Sequence, residues 1–409
     1  MSPRVNLGSP QVEPREARLG SITGYAGSAE ELVRRSHGKC LKERRRSFSQ
    51  CLGCSTSNAA CTVILIQDAA VISHGPVGCS TCFHEFAFTY RVNGVHRGVE
   101  EPTQRRIFTT NLDEKDTVFG GARKLAEAIR EVHRRTGAKA VFVLTTCASG
   151  IIGDDPYATV ESLSHASEAV ATVQICATLG SYLGAALEQA YGVPEIRSAA
   201  PYGIGQTERW WREFGRLTGK QLEVEALLKE ERAEWLPRID ELRQKLSGKT
   251  AFVAAGASHG HALIAVLREL GLEVRGAAVF HHDPLYDNGA PTADALCGAV
   301  RDYGDVPRYQ VCNKQEFELV NILNRERPDV FLARHGGMTS WGARFGIPTV
   351  LVGDEHFGMN YRGLVNYGAR ILDALENDEF VTNLARHASV PYTRWWLEQA
   401  PDAFLEGES

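Results

Sequence analysis

Apolar positions along the chain follow two rhythms. Residues 62–66 form a short run rich in β-branched side chains. Residues 69–72 are apolar and end in the turn sequence Ser73-His74-Gly75-Pro76-Val77-Gly78-Cys79. From Thr117 to about Thr136 the pattern changes. Val118, Leu125, Ile129 and Val132 recur at helical spacing, with Lys124, Glu127, Arg130 and Arg134 opposite, and this predicts one helix. Residues 138–145 and 170–175 are apolar runs of strand length. Such uninterrupted runs suit parallel strands buried on both faces.

Residues 195–245 differ in composition. Trp210, Trp211, Trp235 and many charged side chains predict two or three amphipathic helices without a strand, closed by Ser247-Gly248. The earlier alternation then resumes. Strands are expected at 250–255, 274–280, 328–333 and 349–352, and helices at 261–270 and 317–325. Helices alternating with apolar strands predict an α/β protein of Rossmann-like parallel-sheet domains. The turn Gly256-Ala-Ser-His-Gly260 lacks the GxGxxG fingerprint, so nucleotide binding does not follow. The expected division is an N-terminal arm (1–48), a first Rossmann-like domain (49–190), a helical connector (191–248) and a second Rossmann-like domain with C-terminal helices (249–409).

Composition narrows this picture. At about 150 residues per domain, 409 residues predict two or three domains. Apolar residues at 43% and charged residues at 23% exclude disordered and fibrous classes, despite 39 glycines. The net charge of −5 provides no global positive field for nucleic acid or anionic membrane. Two charge-free stretches, 47–67 and 169–187, are too polar and too rich in turn residues for a membrane span. No apolar segment follows the charged residues at the start, so a cytoplasmic protein is expected.

The ten cysteines change the chemistry under consideration. In a reducing compartment they are not expected to form disulfides. Six of them, Cys40, Cys51, Cys54, Cys61, Cys79 and Cys82, crowd into residues 40–82, which points to metal or redox chemistry. Cys79 ends a glycine-rich turn, and Cys147 lies just past an expected strand. The carboxyl ends of strands line the crevice of open parallel sheets, and both positions fit, Cys54 less clearly. Glycine-rich turns suit iron–sulfur clusters because the backbone can approach and its amides can bond the sulfurs; Gly75, Gly78, Gly150 and Gly153 meet that need. The pairs Cys51-x₂-Cys54 and Cys79-x₂-Cys82 also have zinc-like spacing, so a four-cysteine zinc site competes.

At this point the chain resembles the component 1 family of nitrogenase and nitrogenase-like reductases. The resemblance lies in Asp68-Ala-Ala-Val-Ile-Ser-His-Gly-Pro-Val-Gly-Cys79, Glu114-Lys-Asp-Thr-Val-Phe-Gly-Gly-Ala-Arg-Lys-Leu125 and Thr145-Thr-Cys-Ala-Ser-Gly-Ile-Ile-Gly-Asp-Asp155. A looser match, Thr178-Leu-Gly-Ser-Tyr-Leu-Gly184, is similar to a segment of β-type subunits. The resemblance implies three cluster-ligating thiolates, matching Cys54, Cys79 and Cys147. It implies an iron–sulfur cluster of [4Fe-4S] or [8Fe-7S] type shared with a partner chain. That partner is a homologous α-type subunit in a heterotetramer, or a second copy in a homodimer. An ATP-dependent iron protein is the implied electron donor. Ser181 matches a serine close to the cluster, and Gly78 and Gly150 flank the thiolates. Cys51, Cys82 and Cys176 are possible neighbours.

The resemblance has gaps. The segment after Gly184 passes almost directly into the end of the middle domain, so most of that domain is expected to be missing. Between Cys176 and Cys297 there is no cysteine to match the α-type ligand of the large cofactor. The cofactor histidine falls on Gly353, with His356 nearest. His281 and His282 lie in a stretch similar to α-type subunits, and with His356 they are the candidate catalytic residues. The preferred expectation is a β-like subunit of a two-component reductase, with the methylthio-alkane reductases as first choice. A tetrapyrrole-type reductase, a cofactor-assembly scaffold and a structural zinc protein are the alternatives.

Overall fold

The computed structural model describes residues 24–41, 56, 60, 69–80, 107–138, 140–146, 148–149, 152, 170–173, 177–283, 287–290, 294–312, 316–334, 336–352 and 358–405, with backbone alone at 69, 117, 140, 177–183 and 336. The chain divides into two compact units, one built on Cys51–Ser164, the other on Asn6–Gln50 and His165–Ser409. The described chain opens with β1 (Tyr25–Gly27) and α1 (Ala29–His37), both part of the second unit.

In the first unit, β2 (Ala69–His74) runs into a 3-10 turn, Val77–Ser80. Then come β3 (Ile107–Thr109), α2 (Glu114–Phe119), α3 (Ala122–Thr136) and β4 (Ala140–Thr145). The sheet is parallel, in the order β3-β2-β4. Ala70 and Ile72 of β2 pack against Leu125 and Val132 of α3 to form its core. The single helix expected over 117–136 is instead two. Gly120, at φ 85, terminates α2, and α3 restarts two residues later. Leu125 and Val132 are buried as their spacing requires, but Val118 sits on the earlier helix and is 73% exposed. The strand expected over 170–175 is also absent among the described residues of that stretch; Thr172 makes only an isolated bridge to Glu195.

In the second unit, α4 (Ala177–Tyr191) precedes two long helices, α5 (Gly203–Thr218) and α6 (Gln221–Leu246), as the Trp-rich segment predicted. The α/β region is β5 (Thr250–Ala255), α7 (Ala257–Glu269), β6 (Glu273–Val279), α8 (Ala295–Tyr303), β7 (Arg308–Val311), α9 (Glu316–Glu326), β8 (Val330–Ala333), α10 (Gly336–Arg344) and β9 (Thr349–Leu351). The helices α11 (Asn360–Glu376), α12 (Glu379–His387) and α13 (Arg394–Glu398) follow. The six strands lie in the order β1-β7-β6-β5-β8-β9, all parallel except β1, which pairs antiparallel with β7. Central β5 explains its own sequence. Ala251, Val253 and Ala255 face one core, and Phe252 and Ala254 face the other. With both faces covered there is no polar side to alternate with. Among the described residues, no helix is long and apolar enough to cross a membrane.

Candidate functional site

The turn bearing Cys79 grows from the carboxyl end of β2. His74, the last residue of that strand, is in register with Thr145, the last of β4. The two strand ends are tied together: the Thr146 hydroxyl donates to the His74 carbonyl at 3.1 Å. Between them Gly75 leaves no room for a side chain, because a Cβ there would lie 2.3 Å from Thr146 Oγ1. The Gly75 amide donates to the Thr110 hydroxyl at 3.1 Å, and its carbonyl accepts from Leu112 N at 3.0 Å, so the position is held from the β3 side as well. Cys79 N donates to Pro76 O at 3.0 Å and Ser80 Oγ to Val77 O at 2.7 Å, closing the turn and leaving the Cys79 thiol exposed. Among the described residues a Cβ at Gly78 would meet nothing within 4 Å.

Two further segments reach the same strand ends. Thr56, two positions after Cys54, donates its hydroxyl to the Thr145 carbonyl at 2.8 Å. Thr146, bonded to Cys147, is fixed by Ser149, whose hydroxyl accepts from Thr146 N at 2.9 Å and donates to Thr146 O at 3.0 Å. Cys54, Cys147, Gly150 and His356 lie outside the described residues, as do Cys51, Cys82 and Cys176. Ser181 is on α4, with only its backbone described. Thus the sequence-predicted set is represented by Cys79 and Gly78 on one turn, with the chain neighbours of Cys54 and Cys147 at the strand ends beside it. An exposed thiol on a tight glycine-containing turn at the strand ends fits a thiolate-ligated cluster.

The second unit holds a different constellation. His261 on α7, Asp287 in the loop after β6 and Asp294 at the start of α8 offer ligand atoms that all lie within 4.8 Å of one another, and all three are buried. His261 Nε2 meets the Tyr309 hydroxyl of β7 at 2.6 Å, and its Nδ1 lies 3.6 Å from Asp287 Oδ1. His282 is 1% exposed and sits beside them, Nδ1 4.0 Å from Asp287 Oδ2. Asp294 caps α8 by accepting from Cys297 N at 3.0 Å, and its other oxygen accepts from Gly289 N at 2.8 Å. Burial dominates the electrostatics. It pushes His261 down to about 3 and His282 down to about 4, so both imidazoles are neutral at neutral pH. It also raises the carboxyls of Asp287 and Asp294. His281 and His282 were singled out by the sequence; His261, Asp287 and Asp294 were not grouped with them. They come from three separate segments, and only the fold brings them together.

Comparison with known proteins agrees with this architecture. The family described as nitrogenase component 1 type oxidoreductase matches residues 54–164 and 155–376. The nitrogenase iron-molybdenum cofactor biosynthesis protein NifE of Methanococcus maripaludis is 23% identical over 464 aligned residues, covering 86% of this chain and 91% of its own. The nitrogenase molybdenum-iron protein alpha chain of Methanosarcina barkeri is 25% identical, over 54% of this chain and 58% of its own. A solved structure of nitrogenase Cp1 at pH 5 shares the fold with a TM-score of 0.59 at 18% identity, covering 89% of this chain and 100% of that one.

Proposed function

The chain belongs to the nitrogenase component 1 type oxidoreductase family, and from that premise we propose that it is one subunit of a nitrogenase-like two-component reductase. In this reading Cys54, Cys79 and Cys147 hold an iron–sulfur cluster at an interface with a homologous α-type subunit or a second copy of the chain. Three thiolates do not close a cubane, and an incomplete set is what a shared cluster needs. The observation that supports the reading is the convergence at the ends of β2 and β4. Cys79 is displayed there, and Thr56 and Thr146, neighbours of the other two cysteines, are both bonded to those ends.

When bound, the cluster supplies one-electron chemistry. This chain contributes the thiolates and the hydrogen-bonded turn around Gly78, with Ser181 and Gly150 proposed to border the cluster. An ATP-dependent iron protein is the proposed donor, and reductive C–S cleavage of methylthio-alkanes is the first-choice reaction. Each cleavage consumes two electrons and two protons. His281 and His356 are the proposed proton donors. His282, interior and neutral, suits another role.

Anaerobic co-purification with the products of neighbouring genes tests the proposal. Brown protein with iron and acid-labile sulfide is expected, with the chromophore and reductase activity both lost in Cys79→Ala. Colourless protein without sulfide, or full retention of iron and activity in Cys79→Ala, refutes it. One observation favours a second reading, a cofactor-assembly scaffold: the NifE relatives align over most of this chain. Rapid, ATP-dependent reduction of the cluster by the iron protein, followed by substrate turnover, supports the reductase. A cluster that is released intact to an acceptor protein without turnover supports the scaffold.

A further inference from the structure

We propose that the second unit binds a first-row divalent cation inside the buried cluster of His261, His282, Asp287 and Asp294. The argument begins with a proton count. The Ser36 hydroxyl has one proton, and it goes to the Leu32 carbonyl at 2.8 Å. Ser36 Oγ therefore accepts from His282 Nε2, 3.1 Å away, which places the imidazole proton on Nε2. Nδ1 of His282 then carries a bare lone pair. That atom is buried and has no hydrogen-bond partner among the described residues. It faces Asp287 Oδ2 from 4.0 Å. Oδ2 also accepts from Asp283 N at 2.8 Å; an ionised Asp287 therefore sets two acceptors facing each other in the interior, and a cation between them reconciles both and holds the carboxyl ionised.

The rest of the cluster repeats the pattern. His261 Nδ1 faces Asp287 Oδ1 at 3.6 Å, beyond hydrogen-bonding reach, while Nε2 is engaged by Tyr309. Among the described residues no lysine or arginine pairs with Asp287 or Asp294. Buried carboxylates of that kind are ordinarily paired or bound to metal. Bonds of ~2.0–2.2 Å place tetrahedral donors about 3.3–3.6 Å apart; the His261–Asp287 pair already has that spacing, the ligand atoms of His261, Asp287 and Asp294 all lie within 4.8 Å of one another, and His282 must move in from the Asp287 side to complete the set. Two imidazoles with two carboxylates suit zinc, iron(II) or manganese rather than magnesium or calcium. His261 lies on the helix that follows β5 and Asp287 in the loop that follows β6, so two of the connections leaving the carboxyl ends of adjacent strands supply the cluster. Tyr309 is the positioning residue, because its hydroxyl orients His261 through the far nitrogen.

Titration of the chelator-treated full chain with Co²⁺ tests this, followed by competition with Zn²⁺, Fe²⁺ and Mn²⁺. One Co²⁺ per chain is expected, with visible bands of nitrogen and oxygen ligation and no thiolate charge-transfer band. Binding should be lost in Asp287→Asn and His282→Gln and retained in Cys79→Ala. Tyr309→Phe should bind about 10–100-fold more weakly. The melting order should reverse: without metal Asp287→Asn melts above the unsubstituted chain, and with Zn²⁺ it melts below. If both ligand variants fail to fold, Tyr309→Phe and metal-dependent protection of residues 287–297 from hydrogen exchange decide. No stoichiometric ion, ion binding that disappears with Cys79→Ala, or binding unchanged in the ligand variants overturns the proposal.

Discussion

Gly75→Ala tests whether the close approach of β2 and β4 creates the platform for Cys79. The new Cβ would lie 2.3 Å from Thr146 Oγ1, 2.5 Å from Cγ2 and 2.9 Å from Cβ. Ordinary contact begins near 3.4 Å, so the strand ends must part by roughly an ångström. Thr146 cannot simply rotate away, because it is buried and its hydroxyl bonds His74 O. Overpacking costs about 1–3 kcal/mol, and losing that hydrogen bond adds about 1 kcal/mol. The lower end of that sum, about 2 kcal/mol, is already roughly a 30-fold rise in exchange at β2 and β4. Hydrogen exchange by mass spectrometry reads this directly, with β5 and β6 as the internal reference. Iron per chain should fall together with protection. Thr146→Gly removes all three clashing atoms, so the double variant should recover at least ~1 kcal/mol of coupling over additivity. Additive losses, or full iron content in Gly75→Ala, would falsify the steric argument.

Three other outcomes follow from the geometry. Glu269 accepts from Ile204 N and Gly205 N at the start of α5 and from the Tyr303 hydroxyl at the end of α8, so Glu269→Ala should cost about 2–4 kcal/mol. Fluorescence unfolding reads it through Trp210 and Trp211 on the same helix, and an unchanged midpoint would count against the cap. Burial pushes half-buried Glu195 up to about 7 against the pull of Arg197. The folded state thus holds a proton that the unfolded state releases near 4.5, and stability falls as pH rises between these values. Glu195→Gln should flatten urea midpoints between pH 5 and pH 8; an unaltered slope would show that another group sets it. Asp113 accepts from Lys115 N and Asp116 N while Asp116 returns the bond to Asp113 N. Asp113→Ala should raise exchange in α2 by about fivefold to tenfold, a cost near ~1 kcal/mol, and protection equal to the parent would refute the capping box.

The parts of the fold that were legible in the chain are those where one local pattern decides the outcome. The run at β5 could only be a strand covered on both sides, and the Trp-rich segment could only be helical. The helix predicted over 117–136 went wrong because periodicity outweighed Gly120-Gly121. Those glycines, together with the Asp113–Asp116 capping pattern, mark a stop and a fresh start. β1 was invisible because three residues carry no period, and its partner is distant. The cysteine turn was legible because the turn, the thiol and the glycines are contiguous. The buried histidines and aspartates were not, because His261, Asp287 and Asp294 share no spacing rule. They are neighbours only because β5, β6 and β7 lie side by side.

The antiparallel edge strand has a consequence for the order in which the molecule is made. Glu30 N bonds Asp305 Oδ1 across 275 positions, and Tyr25 pairs with Val311. Along the sequence, residues 51–164 of the first unit interrupt the second. On a ribosome the inner unit is complete long before the outer sheet can close, and the leading strand must wait for β7. Ser36, the hydrogen-bond partner of His282, waits with it. The leading strand and α1 thus act as a late-closing clasp. A circular permutant that joins them directly ahead of α4, with the inner unit moved to an end, should refold its outer sheet faster by shortening that closure.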